Sequence, residues 1–348
     1  MTRLLVCAAE ASGDRLAADL VGVLGDVDVA AVAGPALRAR GVDVVARAED
    51  ATAFGLAEVI GSLPRIRRVL GRVEAVLDTR PNLVVGVDAP GLNAQIGAMA
   101  RARGIPFVQW VAPQVWAWRR GRAARIGAWA DEVLCLLPWE PLWLRPHGVR
   151  ARFVGHPRAV VRRDPYPAGG SILLAPGSRP DEIRRLWPVL CATAAAIRAR
   201  DPAARFVIPR ASTVDRDSLR DAPGPVVDGL DAAMDLADLA VCASGTATLE
   251  LAARGIPQVV LYRLHPLTHA AARVLVRDLP GFSLPNLLAP GSVPEHLQRL
   301  DPNRIADDVL ALRGDAGRLQ RDRLAGPLAA LDAHRAIDKV AAAIRERL

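Results

Sequence analysis

The sequence predicts an α/β protein: two Rossmann-like domains whose parallel sheets face a cleft, followed by a helical C-terminal tail. Three observations predict it. Short apolar runs alternate with amphipathic helical patterns along the chain, the rhythm of repeated βαβ units. The 348 residues are enough for two ordinary domains. The stretch 157–170 (PRAVVRRDPYPAGG) breaks the rhythm about halfway with proline, glycine and charge, and it reads as a linker.

The strands of the first half are expected at 3–9, 28–33, 82–88, 106–112, 132–137 and 151–155. Those of the second half are expected at 171–175, 205–208, 225–228, 239–243 and 257–262. Each is a short apolar run, as in strands buried on both faces of a sheet. Helical spacing of apolar residues marks 14–25, 56–79 and 91–103, and from Pro302 the chain reads as helical to Leu348. The expected divisions are 1–160, 161–300 and a tail, 301–348, that packs across the domains or is exchanged between chains. A homodimer therefore stays open.

Composition narrows the function. Basic residues number 45 against 37 acidic, a balance of +8, and Lys339 is the only lysine. The charge is thus almost all guanidinium, which suits phosphate and argues against Schiff-base chemistry. Cys7, Cys135, Cys191 and Cys242 lie far apart with no CxxC pair, as in reduced core cysteines of a cytoplasmic protein. The N-terminal apolar run is too short for a signal peptide, and no run is long enough to span a membrane. Any membrane contact is expected from the surface.

Candidate chemistry sits where strands end. In AAEASGDRLAADL, Glu10 and Asp14 bracket the mouth of the first sheet, where open parallel sheets bind ligands. Ser12 or Asp14 could equally cap the helix that follows. Asp88, in LVVGVDAPGLN, is placed to take a proton from a hydroxyl or to cap the next helix. In 110–129, Trp110, Trp116, Trp118 and Trp129 interleave with Arg119, Arg120, Arg122 and Arg125. That mixture fits base stacking, a membrane interface or a plain aromatic core.

In the second half, Gly177, Ser178 and Arg179 join a strand to a helix, and backbone amides plus a guanidinium there make a phosphate cradle. Ser244, Gly245 and Thr246 repeat the arrangement, with Glu250 nearby for ribose hydroxyls. His265 and His269 are four apart but have no acidic or sulfur companion close in sequence, so no metal and no cofactor is expected.

The strings EASGD (10–14), GVDAPGLN (86–93), APQVWAWR (112–119), VGHP (154–157), PGSR (176–179), ASGTATLE (243–250) and SLPNLLA (283–289) occur in this order. Together they resemble the lipid-A-disaccharide synthase family from near residue 3 to about residue 300. The resemblance implies a GT-B glycosyltransferase with the acceptor side in the N-terminal domain and the UDP-sugar side in the C-terminal one. It implies transfer from UDP-2,3-diacylglucosamine to the 6-hydroxyl of 2,3-diacylglucosamine 1-phosphate, inverting and metal independent, on the cytosolic leaflet of the inner membrane.

The residues carried over are Asp88 as general base with Glu10 as second choice, and Arg179 for charge on the departing UDP. Gly177, Ser178, Ser244, Gly245, Thr246, Glu250 and Asn286 would hold the donor. Ser12, Asp14, Gln114, Trp116, Trp118 and Arg119 would face the acceptor and membrane. The chain departs from the family pattern at Ala9, Gly91, Leu92, Ala112 and Gln114; the last four bear on acceptor or acyl-chain preference. Another GT-B transferase, acting on a lipid-linked peptidoglycan precursor, is disfavoured by EASGD and VWAWR. No nucleic-acid partner is expected, because many basic residues lie on amphipathic helices far from any motif.

Overall fold

The structure, a computed structural model, describes residues 2–51, 56–114, 120–161, 170–211, 214–264 and 279–348. It forms two compact units, Met1–Pro157 with Leu331–Leu348, and Arg158–Ala330.

The first unit is built on seven strands: β1 (Arg3–Cys7), β2 (Asp28–Ala33), β3 (Asp43–Arg47), β4 (Leu83–Val87), β5 (Phe107–Trp110), β6 (Glu132–Cys135) and β7 (Ala151–Phe153). They are all parallel, in the order β3-β2-β1-β4-β5-β6-β7. The chain starts in the middle, winds outward to β3, then returns to lay β4 beside β1. The carboxyl ends of β1 and β4 therefore flank the switch point, where connections leave in opposite directions and a crevice opens. Leu4–Cys7 and Leu83–Val87 are buried throughout, so these two strands are apolar on both faces.

The second unit repeats the plan with β8 (Ser171–Ala175), β9 (Phe206–Arg210), β10 (Val226–Asp228), β11 (Ala237–Ala243), β12 (Gln258–Tyr262) and β13 (Glu295–Leu297). Their order is β10-β9-β8-β11-β12-β13, again parallel, with the switch point between β8 and β11. The helix Pro180–Arg200 covers this sheet with Ile183, Leu186, Leu190, Ala194 and Ile197, spaced by three or four residues.

The fold class is the one the sequence predicts. Two strands escaped the reading, β3 and β13. Both are edge strands, and DVVAR and EHL carry too few apolar residues to stand out, because an edge has only one neighbour and meets water. Expected strands 3–9, 106–112 and 132–137 overran the ladders at their carboxyl ends, where the chain turns into loops.

The tail expected as one segment, 301–348, divides. Helices Pro302–Ala311 and Asp315–Ala329 belong to the second unit, while Ala333–Arg345 belongs to the first. The last helix has an apolar stripe (Ala336, Val340, Ala341, Ile344) that packs against the helix Ala11–Leu24. Its entry explains the VGHP string. Gly155 has φ +96°, and a Cβ there would stand 2.6 Å from the Leu331 carbonyl. The His156 amide donates to that same carbonyl at 2.9 Å. Buried Glu132 then receives Arg152 at 3.0 Å and Arg347 at 3.0 Å, fastening the chain end to the sheet.

Candidate functional site

Glu10 and Ser12 follow β1, and Asp88 follows β4, so the switch point of the first sheet brings together residues 76 apart in sequence. The Ser12 hydroxyl donates to Asp88 Oδ2 at 2.7 Å. Gly13 permits the approach: a Cβ there would lie 2.8 Å from the Val87 carbonyl oxygen and 3.0 Å from Asp88 Cβ.

Asp88 and Ala89 both adopt left-handed backbone, φ +55° and +41°, and Val111 across the turn has φ +72°. Each such residue costs about 1–3 kcal/mol and persists only when its surroundings fix it. The surroundings do so through two buried amides. Asn93 Nδ2 donates to the Asp88 carbonyl at 2.7 Å, and Gln109 Nε2 donates to it at 2.9 Å. Gln109 Nε2 also lies 3.1 Å from the carbonyls of Trp110 and Val111. The Asp88 amide donates to the Trp110 carbonyl at 3.0 Å. The result is a half-buried carboxylate on a rigid, strained corner, steadied by an alcohol. That arrangement suits a proton acceptor.

Glu10 is half-buried at the N-cap of the helix Ala11–Leu24, at the carboxyl end of β1. Asp14 is not a surface group. It is 3% exposed, and its carboxylate accepts the amides of Gly34, Ala36 and Leu37 at 2.8, 2.8 and 3.2 Å. Asp14 thus caps the short helix Pro35–Arg38 and holds the loop after β2. Gln114 is exposed beyond β5. Trp116, Trp118 and Arg119 lie outside the described residues. Of the other tryptophans in that run, Trp110 is buried in β5, and half-buried Trp129 packs against the core, edge-on to Phe107 at 5.8 Å.

At the second switch point Gly177, Ser178 and Arg179 follow β8. Gly177 has φ +104°, and a Cβ there would lie 2.5 Å from Glu182 Oε2. Glu182, three residues past Arg179 in the first turn of the helix Pro180–Arg200, reaches back to accept the amides of Ser178 and Arg179. The Arg179 guanidinium, largely exposed, stands 3.8 Å from the same carboxylate. Burial raises the Glu182 pKa, and those amides and arginines offset only part of that rise.

Ser244, Gly245 and Thr246 follow β11. Thr246 opens the helix Thr246–Ala253, whose first turn is tied by the Thr248 hydroxyl to the Gly245 carbonyl at 2.7 Å. Beneath it Gln258 donates to the Thr248 carbonyl at 2.7 Å and exchanges hydrogen bonds with Gln320. Glu250, two residues on, is buried on this helix. The Ser244 hydroxyl donates to the Phe282 carbonyl at 3.0 Å. Asn286, expected to hold the donor, is buried. Its amide spans the 292–293 backbone, donating to the Val293 carbonyl at 2.8 Å and accepting the Val293 amide at 2.9 Å. It pins a loop.

Four side chains that brace the loops at the strand ends escaped the sequence reading: Asn93, Gln109, Glu182 and Glu295. Gln109 is a polar residue inside an apolar strand, and Glu182 has capping-box spacing, so both left a signal. Glu295 left none, since its partners Phe282 and Ser283 lie across a loop.

Burial raises the Cys7 thiol pKa to about 12 and raises those of Cys135 and Cys242 as well, so these are inert core groups. Among the described residues no group of three or more His, Cys, Asp or Glu is arranged to hold a metal, and His265 and His269 lie outside them.

A family model described as lipid-A-disaccharide synthetase matches residues 4–312. A lipid-A-disaccharide synthase of Anaeromyxobacter dehalogenans is 40% identical over 342 residues, covering 90% of this chain and 88% of its own. One from Azotobacter vinelandii is 39% identical over 341 residues, covering 89% of each chain. Among solved structures, the kitacinnamycin glycotransferase aligns over 99% of both chains with a TM-score of 0.62 at 19% identity, a likeness of fold.

Proposed function

The chain belongs to the lipid-A-disaccharide synthase family, and from that premise we propose that it moves 2,3-diacylglucosamine from UDP-2,3-diacylglucosamine to the 6-hydroxyl of 2,3-diacylglucosamine 1-phosphate. The products are the β-1,6-linked disaccharide 1-phosphate of lipid A biosynthesis and UDP. The Ser12–Asp88 hydrogen bond at 2.7 Å carries the mechanistic reading, because it joins two family strings into one proton-accepting corner.

The acceptor O6 attacks the donor's anomeric carbon from the face opposite the diphosphate. The bond from that carbon to the phosphate oxygen breaks, its electron pair leaves with UDP, and the O6 proton passes to Asp88. Ser12 orients the accepting carboxylate, and Glu10 is the alternative base. Arg179 and the loop amides after β8 meet the charge that grows on UDP, electrostatic work that makes a metal unnecessary. Ser244, Gly245 and Thr246 approach the diphosphate by backbone, and Glu250 takes ribose hydroxyls.

The lipid substrates call for contact with the anionic cytosolic leaflet, made from the surface. The helix Leu56–Asp78 presents exposed Arg65, Arg67, Arg68 and Arg72 beside exposed Leu63, and Leu142 is 71% exposed. Each arginine close to such a surface contributes about 1 kcal/mol. No helix among the described residues is long and apolar enough to cross a membrane.

The test is UDP release from the two lipid substrates in detergent micelles containing EDTA, comparing the wild type with Asp88→Ala. Turnover that the variant loses supports the reaction, its metal independence and the base. A wild type that binds UDP without turnover would exclude this acceptor.

A further inference from the structure

We propose that the Phe282 ring contacts the acylated sugar of the donor and lets the enzyme prefer an acylated sugar nucleotide over a bare one. The inference rests on the donor site assigned above to the second unit and names what lies beyond the diphosphate in it.

Phe282 is a large apolar side chain left 43% exposed. Its backbone is nevertheless fixed. The Phe282 amide donates to Glu295 Oε2 at 2.8 Å, and its carbonyl accepts from the Ser244 hydroxyl at 3.0 Å. Ser244 opens the Ser-Gly-Thr loop, so the ring is tethered one side chain away from the backbone that would hold the diphosphate. Gly281 lets this segment close up, since a Cβ there would fall 2.4 Å from Asn286 Cβ. The ring stacks on Tyr262 at the end of β12, centroids 6.3 Å apart and planes 30° apart.

Two observations choose the occupant. A nucleobase needs hydrogen-bond partners for its edge, but the polar groups of this segment are engaged with one another. The Ser283 amide and hydroxyl both donate to Glu295 Oε1, at 2.8 and 2.5 Å, and Ser244 is spent on Phe282. What is offered is apolar area, which suits the hydrocarbon of the donor's acyl chains. The second observation is position. Tyr262 is half-buried, and its phenol pKa is raised chiefly by that burial, with the Glu182 carboxylate adding to the rise. The Ser244–Phe282 hydrogen bond sets the aromatic pair beside the Ser-Gly-Thr loop proposed to hold the diphosphate.

The experiment uses the full chain and compares the wild type with F282S and F282L in three readouts. These are the UDP dissociation constant by calorimetry, inhibition by UDP-N-acetylglucosamine, which lacks the long acyl chains, and KM for UDP-2,3-diacylglucosamine at fixed detergent. F282S should raise that KM about tenfold or more, as for a lost apolar contact in a binding pocket. It should leave the other two readouts within about twofold, and F282L should restore most of the KM by returning apolar area. Equal weakening of UDP and of the acylated donor would put the ring on the nucleotide and overturn the proposal, as would an unchanged KM. Arg179→Ala measured alongside tests the donor site itself: UDP affinity untouched by that change would remove the donor-site assignment and this inference with it.

Discussion

Ser12 Oγ and Asp88 Oδ2 lie 2.7 Å apart, joining the first turn of one helix to the strained corner after β4. Under the proposed mechanism this bond orients the base. Asp88→Asn keeps the size and the corner but cannot accept the proton, so kcat is expected to fall by about 10²–10⁴. Ser12→Ala should cost a smaller factor, roughly tenfold, corresponding to one hydrogen bond to a charged group. Steady-state kinetics with circular dichroism as a folding control measures both. Equal losses in the two variants would mean that Ser12 does more than orient.

Gln109 is fully buried and holds three carbonyls of that corner, those of Asp88, Trp110 and Val111. Gln109→Leu fills similar space but leaves those oxygens short of a donor. It is expected to cost about 2–4 kcal/mol of stability and to lower kcat more than KM, because the base loses its placement. Urea denaturation and kinetics check the pair of effects. A destabilised variant with normal kcat would make the corner a matter of stability alone.

Most of the fold was legible because buried parallel strands are apolar on both faces, and such runs are hard to miss in β1, β4 or β11. What the sequence did not show is where side chains point. Asp14 and Asn286 stood in family strings and read as site residues, yet both spend their polar atoms on nearby backbone. Nothing in the residue type separates a carboxylate facing solvent from one capping a helix 20 residues on. Asp88 and Ser12 were each legible as candidates. Their meeting depends on β4 returning to lie beside β1, a property of strand order.

The C-terminal fastening has an acid limit. Burial pushes the Glu132 carboxyl upward, but hydrogen bonds from Arg152 and Arg347 outweigh it and hold the pKa below the usual range. A depressed carboxylate stabilises the fold above its unfolded-state pKa and loses that contribution as pH falls through the folded value. Glu132→Gln should cost about 3 kcal/mol near neutrality, which would lower the melting temperature on the order of 5–10 °C. The gap between wild type and variant should close below about pH 4. Thermal melts across pH check this, and a gap independent of pH would assign the loss to packing.

Glu182 faces the Ser178 and Arg179 amides, the same donors that the proposed mechanism turns toward the diphosphate. Its Oε2 lies 2.5 Å from where a Cβ on Gly177 would stand. As a carboxylate, Glu182 must therefore compete with the incoming anion. Its pKa is raised by burial, so it is charged above that raised value and becomes neutral as pH falls through it. Glu182→Gln keeps an oxygen for the amides and removes the charge. At pH 8 the variant is expected to bind UDP about fivefold tighter than the wild type, corresponding to roughly 1 kcal/mol of relieved repulsion at a partly solvated site. As pH falls through that raised value the two affinities should converge. Expressing the result as a ratio of dissociation constants at each pH cancels the protonation of UDP itself. A ratio that stays flat with pH, or weaker binding by the variant throughout, would instead make Glu182 a partner of the bound nucleotide.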